Sequence, residues 1–147
     1  MKVVIQRVIN SSVVIDNMET KKIDKGLMIL AGFTYNDTKE DIDYIIKKIV
    51  NLRIFEENNK MNLSILNING EILLIPQFTL YADVRKGNRP SFTNALNPKE
   101  ANELFELLKK ELLKTNVKIK YGKFGSDMKV NLINDGPVTI IIDSKER

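Results

Sequence analysis

The sequence predicts an α/β fold built as one domain of 147 residues, a mixed and largely antiparallel β-sheet carrying two amphipathic helices. Three observations carry that prediction. Apolar residues alternate or run unbroken in short segments at 2–9, 26–33, 117–121, 128–133 and 138–142, which is strand patterning. Two other segments, 38–52 and 98–114, repeat apolar residues at helical spacing behind recognisable caps. No internal repeat, linker or low-complexity tract interrupts the chain, so residues 1–147 are expected to fold as a single unit.

At the start, Val3, Ile5, Arg7 and Ile9 alternate with Val4, Gln6 and Val8, and a second apolar stretch at 12–15 precedes the polar 16–22. This reads as two strands joined by a short turn. The run from Gly26 to Phe33 is continuously apolar and begins at a glycine, which suits a strand buried on both faces. Asp37 and Glu40 have capping-box spacing, and Ile42, Ile45, Ile46 and Ile49 then mark one face of a first helix over 38–52. Residues 63–68 and 71–75 flank Asn69-Gly70, a dipeptide suited to a type I′ turn, which predicts a β-hairpin. Pro76 has no amide to give a ladder, so the segment entering Gln77, Phe78, Thr79 and Leu80 belongs at a sheet edge or a strand end. A long polar loop over 82–97 follows. Asn97, Pro98 and Glu100 open a second helix with Ala101, Leu104, Phe105, Leu108 and Leu112 on one face, running to about 114. Three short strands close the chain, with 134–137 as the turn between the last two.

Composition narrows the chemistry more than any single motif. Without Cys there is no disulfide, thiolate nucleophile or cysteine metal centre, and without His the commonest general base and metal ligand is missing. Ser-His-Asp and Cys-His hydrolysis are excluded. Any hydrolysis must use Asp, Glu, Lys, Tyr or Thr, backbone dipoles, or groups brought by the substrate. The carboxylates cluster at helix starts, where the helix dipole accounts for them, and none has metal-site spacing; no glycine-rich nucleotide loop is present. No metal and no cofactor are expected. No apolar run approaches a membrane span and no signal-peptide pattern opens the chain, so a cytoplasmic protein without membrane attachment is the expectation.

The net charge of +4 is uneven. Residues 1–75 balance, and within 109–129 seven Lys face only Glu111 and Asp127. Such a skew suits a polyanion such as RNA, and equally suits a solvated lysine-rich surface.

Several residues stand out one by one. Arg7 shares a strand face with apolar neighbours, so its guanidinium either has a carboxylate or carbonyl partner or reaches water at a sheet edge. Gln77, Phe78 and Thr79 follow a proline, where backbone amides are free for a ligand. Thr79 is the one nucleophile candidate with suggestive surroundings, but no His exists to deprotonate it, and a hydrogen-bonding role fits better. Lys86 and Arg89, with Gly87 and Ser91, make a phosphate-contact set on a loop. Gly136-Pro137 is a pair able to adopt an unusual turn just before the apolar strand 138–142.

Seven motifs in order, namely Gln6-Arg7-Val8, Asn51-Leu52-Arg53-Ile54-Phe55, Lys60-Met61-Asn62-Leu63-Ser64, Gln77-Phe78-Thr79-Leu80, Lys86-Gly87-Asn88-Arg89-Pro90-Ser91-Phe92, Phe124-Gly125-Ser126-Asp127-Met128 and Asn134-Asp135-Gly136-Pro137-Val138-Thr139, give the chain a close likeness to one family. It resembles the D-aminoacyl-tRNA deacylases over nearly its whole length. The resemblance implies a homodimer with a barrel-like core and a metal-free hydrolase. Its substrate would be the ester between a D-amino acid, or mischarged glycine on alanine tRNA, and the 3′-terminal adenosine. It further implies that Gly136-Pro137 is cis and reaches into the partner's pocket, rejecting L-amino acids by backbone alone, with Arg7 holding that element. Gln77, Phe78 and Thr79 would form the facing wall, with the Phe78 amide as oxyanion contact, and Met128 would lie on the adenosine side. An aminoacyl ester is already activated and carries a vicinal 2′-hydroxyl, so placement and oxyanion stabilisation suffice without a protein base. Two positions depart from the family pattern: Pro76 stands where serine is usual, and Ser126 where alanine is. The rival from another class is a non-catalytic dimer that binds tRNA or DNA.

Overall fold

A strand of 14 residues, β1 (Lys2–Ile15), runs through the region where two strands and a turn were expected. The computed structural model, which describes residues 1–147, shows why the pattern misleads. Pairing of β1 breaks register between Gln6 and Val8 and again between Val8 and Asn10, so the strand bends without ending. Val3 and Ile5 serve one apolar cluster, whereas Val8, Val13 and Ile15 serve another. The change of alternation that suggested a turn is a change of core.

The elements that follow are β2 (Glu19–Ile23), β3 (Gly26–Gly32), α1 (Lys39–Asn51), β4 (Phe55–Glu57), β5 (Lys60–Leu63), β6 (Glu71–Pro76), α2 (Pro98–Leu112), β7 (Lys118–Tyr121) and β8 (Met128–Asp143). One sheet has the order β2-β1-β3-β6-β7, with β8 along the other side of β1; β4 and β5 form a separate hairpin. β3 pairs with β6 and β6 with β7 in parallel, and the remaining pairs are antiparallel, so the sheet is mixed as predicted. The first half of β1 pairs with β3 and the second half with β2. The bend therefore folds β2, the end of β1 and the start of β8 over one face of β3 and β6. Met28, Leu73 and Ile75 fill the space between those layers, while Leu27, Ile29, Ile72 and Leu74 meet the two helices on the opposite face. The expectation that 26–33 is buried on both sides holds for this barrel-like arrangement.

Both helices form where their apolar periodicity places them. The cap of α1 is Thr38, whose N–H donates to Asp41 Oδ2 at 2.9 Å, one residue beyond the expected Asp37. Asp37 is otherwise engaged, accepting from the Met1 amine at 2.5 Å and from Thr34 N–H at 2.8 Å. In α2, Asn97 Oδ1 accepts from Glu100 N–H at 3.1 Å, the cap that the sequence indicates.

The predicted hairpin at Asn69-Gly70 does not form. Asn67 Oδ1 accepts from both the N–H and the hydroxyl of Ser64, which winds the chain into a helical turn before Asn69. Gly70 N–H then donates to Ile65 C=O and Asn69 N–H to Leu66 C=O, a Schellman pattern with Asn69 alone at positive φ. This reversal leaves β6 parallel to β3, inside the sheet. Pro76 accordingly sits at a strand end and not at a sheet edge. The final two strands are likewise one, β8, which continues through the expected turn as a bulge. No helix is long and apolar enough to cross a membrane.

Candidate active site

Pro76 is where the ladders stop. Gln77 N–H still donates to Ala31 C=O at 2.7 Å, and Gly122 N–H to Leu74 C=O at 2.9 Å, but residue 76 offers no amide to carry the β6–β7 pairing further. The chain turns directly into a short 3-10 helix, Phe78–Tyr81. The first amides of such a turn have no carbonyl behind them within the helix. In this segment Leu80 N–H bonds to Gln77 C=O and Ala82 N–H to Thr79 C=O, while the Phe78 and Thr79 amides take no loop or cap acceptor. Gln77 Nε2 donates to Thr79 Oγ1 at 2.6 Å, so the threonine oxygen is an acceptor here and its proton is free to be donated.

A cleft of about 640 Å³ opens beside this turn. Pro76, Gln77 and Phe78 form one wall, Phe92 and the start of α2 a second, and 124–128 a third. Phe78 is half exposed, and its ring meets Phe92 edge-on at 5.0 Å between centroids. Gly122 packs beneath the third wall: a Cβ there would lie 2.6 Å from Met128 Sδ, so the Met128 side chain would have to move. The same wall is pinned from outside by the turn between β1 and β2. Asp16 N–H donates to Asp127 C=O at 2.9 Å, and Asp127 N–H to Asp16 Oδ1 at 3.1 Å.

The second group of predicted residues lies apart. Between the pairs Gln6 with Thr139 and Val8 with Asn134, four residues of β8 bulge out opposite the single residue Arg7. Arg7 is 4% exposed, and of the two readings left open by the sequence, a snorkelling or a partnered guanidinium, the second holds. Its Nη1 donates to Ile54 C=O at 2.6 Å and its Nε to Asp135 C=O at 2.9 Å, with carboxylates of Asp135 and Glu56 at 3.5 and 3.6 Å. The Gly136-Pro137 bond is cis, and both residues are exposed. Gly136 has φ +130°, and a Cβ on it would lie 3.0 Å from an Arg7 guanidinium nitrogen. Pro76 is level with Val3 along the sheet and the bulge with Arg7, a separation of four residues or about 13 Å, plus three strands crosswise at about 4.8 Å each.

The structure thus brings Gln77, Phe78 and Met128 into one cleft with Thr79 beside it, and Arg7, Gly136 and Pro137 into one bulge elsewhere on the same chain. Lys86 and Arg89 are exposed on a loop closed by reciprocal hydrogen bonds between Asp83 and Ser91, and neither lines the cleft. Sequence reasoning placed none of Phe92, Phe124 and Asn97 in a site, and all three line the cleft. The two aromatics sat within noted motifs, but nothing local in the sequence says that 92–98 and 124–128 face each other.

Comparisons with known proteins cover nearly the whole chain. The family described as D-Tyr-tRNA(Tyr) deacylase matches residues 4–143. A D-aminoacyl-tRNA deacylase of Thermosipho africanus is 50% identical over 147 residues, covering 99% of each chain. One from Clostridium botulinum is 52% identical with the same coverage. A solved structure named "c-Myc DNA Unwinding Element Binding Protein" superposes with a TM-score of 0.90 at 38% identity, covering 97% of this chain and 98% of that one.

Proposed function

The chain belongs to the D-Tyr-tRNA(Tyr) deacylase family, and we propose on that basis that it hydrolyses the ester joining a D-amino acid to the 3′-terminal adenosine of tRNA, releasing both. The observation that carries the reading is the cleft at the end of β6, where the Phe78 and Thr79 amides, which take no loop or cap acceptor, open a 3-10 turn in a protein that has no His and no Cys.

In this mechanism the Phe78 amide, supported by that of Thr79, receives the charge that develops on the carbonyl oxygen of the ester as water adds to the carbonyl carbon. Collapse of the tetrahedral intermediate breaks the bond to the 3′-oxygen, and the neighbouring 2′-hydroxyl supplies the proton relay that no side chain provides. Thr79 donates a hydrogen bond and is not the nucleophile; its oxygen already accepts from Gln77. Phe78, Phe92 and Phe124 supply apolar and stacking surface for the terminal adenosine, with Met128 beside them.

Discrimination against L-amino acids is assigned to Gly136-Pro137 of a second copy. That bulge is exposed and stands far from its own chain's cleft, which favours a homodimer in which each copy completes the other's site. A filter made of backbone senses the direction of a side chain and not its identity. Many D-amino acids are therefore substrates, and glycine, with nothing to exclude, is hydrolysed too, including glycine mischarged on alanine tRNA. Lys86 and Arg89 contact phosphates outside the cleft.

A binding-only reading is favoured by one finding, the name of the structural neighbour with a TM-score of 0.90. Release of amino acid from matched D-tyrosyl-, L-tyrosyl- and glycyl-tRNA, in the presence of chelator, separates the two. Hydrolysis of the D and glycyl esters with the L ester intact is the expected result. Survival of all three while the tRNA remains bound overturns the deacylase reading.

A further inference from the structure

Across from the bend in β1, β2 and β7, the two ends of the strand order, approach each other beside the smaller core and touch through side chains without a ladder between them. Lys120 Nζ reaches across that seam and donates to Lys22 C=O at 2.7 Å. Lys118 and Lys120 project outward from β7, and Ile119 and Tyr121 pack inward. Tyr121 is flanked by two more cations, Lys109 Nζ at 4.6 Å and Lys21 Nζ at 5.8 Å from its ring centroid. Lys123 follows one residue before Phe124 enters the cleft wall, so the basic row runs straight up to the cleft.

The charges are poorly compensated. Lys21, Lys109 and Lys123 each have a carboxylate within 4.0 Å, but Lys22, Lys118 and Lys120 have none. Glu71, directly across from Lys118, directs its carboxylate to Asp24 N–H at 2.9 Å. Lysines on an exposed edge strand often serve only to discourage strand pairing. That role accounts for β7 taken alone. It does not account for Lys21 and Lys22 of β2 lining the other side of the seam, where Lys120 Nζ reaches the Lys22 carbonyl and Lys21 Nζ lies over the Tyr121 ring.

Building on the deacylase reading, we propose that the β2–β7 seam is the docking surface for the acceptor-stem phosphates of the tRNA, with Lys22, Lys118 and Lys120 as its principal contacts. A polyanion neutralises cations that have no carboxylate partner, and its counterions are released on binding. The terminal adenosine occupies the cleft and the duplex leaves along the seam, so affinity for the stem and chemistry on the ester are carried by separate surfaces.

The test uses two substrates: full-length D-tyrosyl-tRNA, and D-tyrosyl-adenosine, which has the ester but no stem. In the variant Lys22→Gln/Lys118→Gln/Lys120→Gln, kcat/KM on the tRNA ester should fall more than tenfold, with less than a twofold change on D-tyrosyl-adenosine. The slope of log kcat/KM against log salt should flatten by about 2 to 3, roughly one unit per lost phosphate contact. A matched variant on α1 and β5, Lys47→Gln/Lys48→Gln/Lys60→Gln, should leave both substrates and the slope unchanged. An equal loss on both substrates, or an unchanged salt slope, overturns the proposal. If the wild-type protein hydrolyses neither ester, the deacylase reading fails by itself. The seam is then judged by the same salt slope in fluorescence titrations with uncharged tRNA.

Discussion

Replacing Arg7 probes the link between the fold and the bulge that carries Gly136-Pro137. The guanidinium is almost fully buried and donates to two backbone carbonyls, Ile54 at 2.6 Å and Asp135 at 2.9 Å. Hydrogen bonds from a charged donor contribute about 1.5–3 kcal/mol each, and carbonyls left buried without a donor add to the loss. The ion pairs contribute less: the Asp135 and Glu56 side chains are 37% and 58% exposed, so solvent screens them to about 0–1 kcal/mol. Arg7→Met should therefore destabilise the protein by about 3–5 kcal/mol, a large share of the roughly 5–15 kcal/mol available to a domain. For a chain of this length each kcal/mol shifts Tm by about 2–4 °C, so Tm should fall by about 10 °C. Arg7→Lys keeps the charge but reaches one carbonyl at most, and should lose about half as much. Urea unfolding followed by circular dichroism gives the stability, and hydrolysis of D- and L-tyrosyl-tRNA below the unfolding range gives the function. Loosening the bulge should erode the preference for the D ester before it lowers the D rate. A Tm within about 2 °C of wild type together with an unchanged D-to-L ratio would refute the argument.

Gly136→Ala forces an L residue into φ +130° with its Cβ against Val138 and Arg7, which should destabilise by about 1–3 kcal/mol and lower D-ester activity, read by thermal melting and initial rates. Thr79→Ala should keep hydrolysis within about tenfold of wild type because the amides remain; a loss of about 10⁴-fold would mean a covalent nucleophile. Asp41 is buried, which opposes its charge, but Lys145, the Thr38 N–H and Arg147 outweigh that and hold the carboxyl well below its usual range. Its stabilisation is fully present above the unfolded value of 3.8 and is lost as pH falls below it, so Asp41→Asn should be less stable than wild type at pH 7, with the gap closing below pH 4 in urea titrations.

The helices were legible because their signals are local: Asn97, Pro98 and Glu100 specify a start, and Ile42, Ile45, Ile46 and Ile49 specify a face. The two-sided burial of β3 was legible from its unbroken apolar run. Other features depend on partners distant in sequence. Asn69-Gly70 has the composition of a hairpin turn, and only the capture of Ser64 by Asn67 makes it the end of a helical turn instead. The continuity of β1 and β8 rests on their mutual pairing across more than a hundred residues, which absorbs a four-residue bulge opposite Arg7. The chemistry was bounded early by the absence of His and Cys, and the amides after Pro76 drew notice because a proline ends the ladder there. The assembly of the cleft from 76–78, 92–98 and 124–128 follows from sheet order, which no local pattern encodes.

The proposed mechanism relies on backbone amides and the substrate's own hydroxyl to perform the hydrolysis. It is tested most directly with D-tyrosyl-tRNA whose terminal residue is 2′-deoxyadenosine, compared with the ordinary ester in single-turnover experiments at saturating protein. Hydrolysis should slow by about 100-fold or more while the tRNA still binds, since a positioned proton relay contributes about 10²–10⁴ in rate. Cleavage of the deoxy ester within about threefold of the normal rate would contradict this mechanism and require a side chain of the protein to take that role.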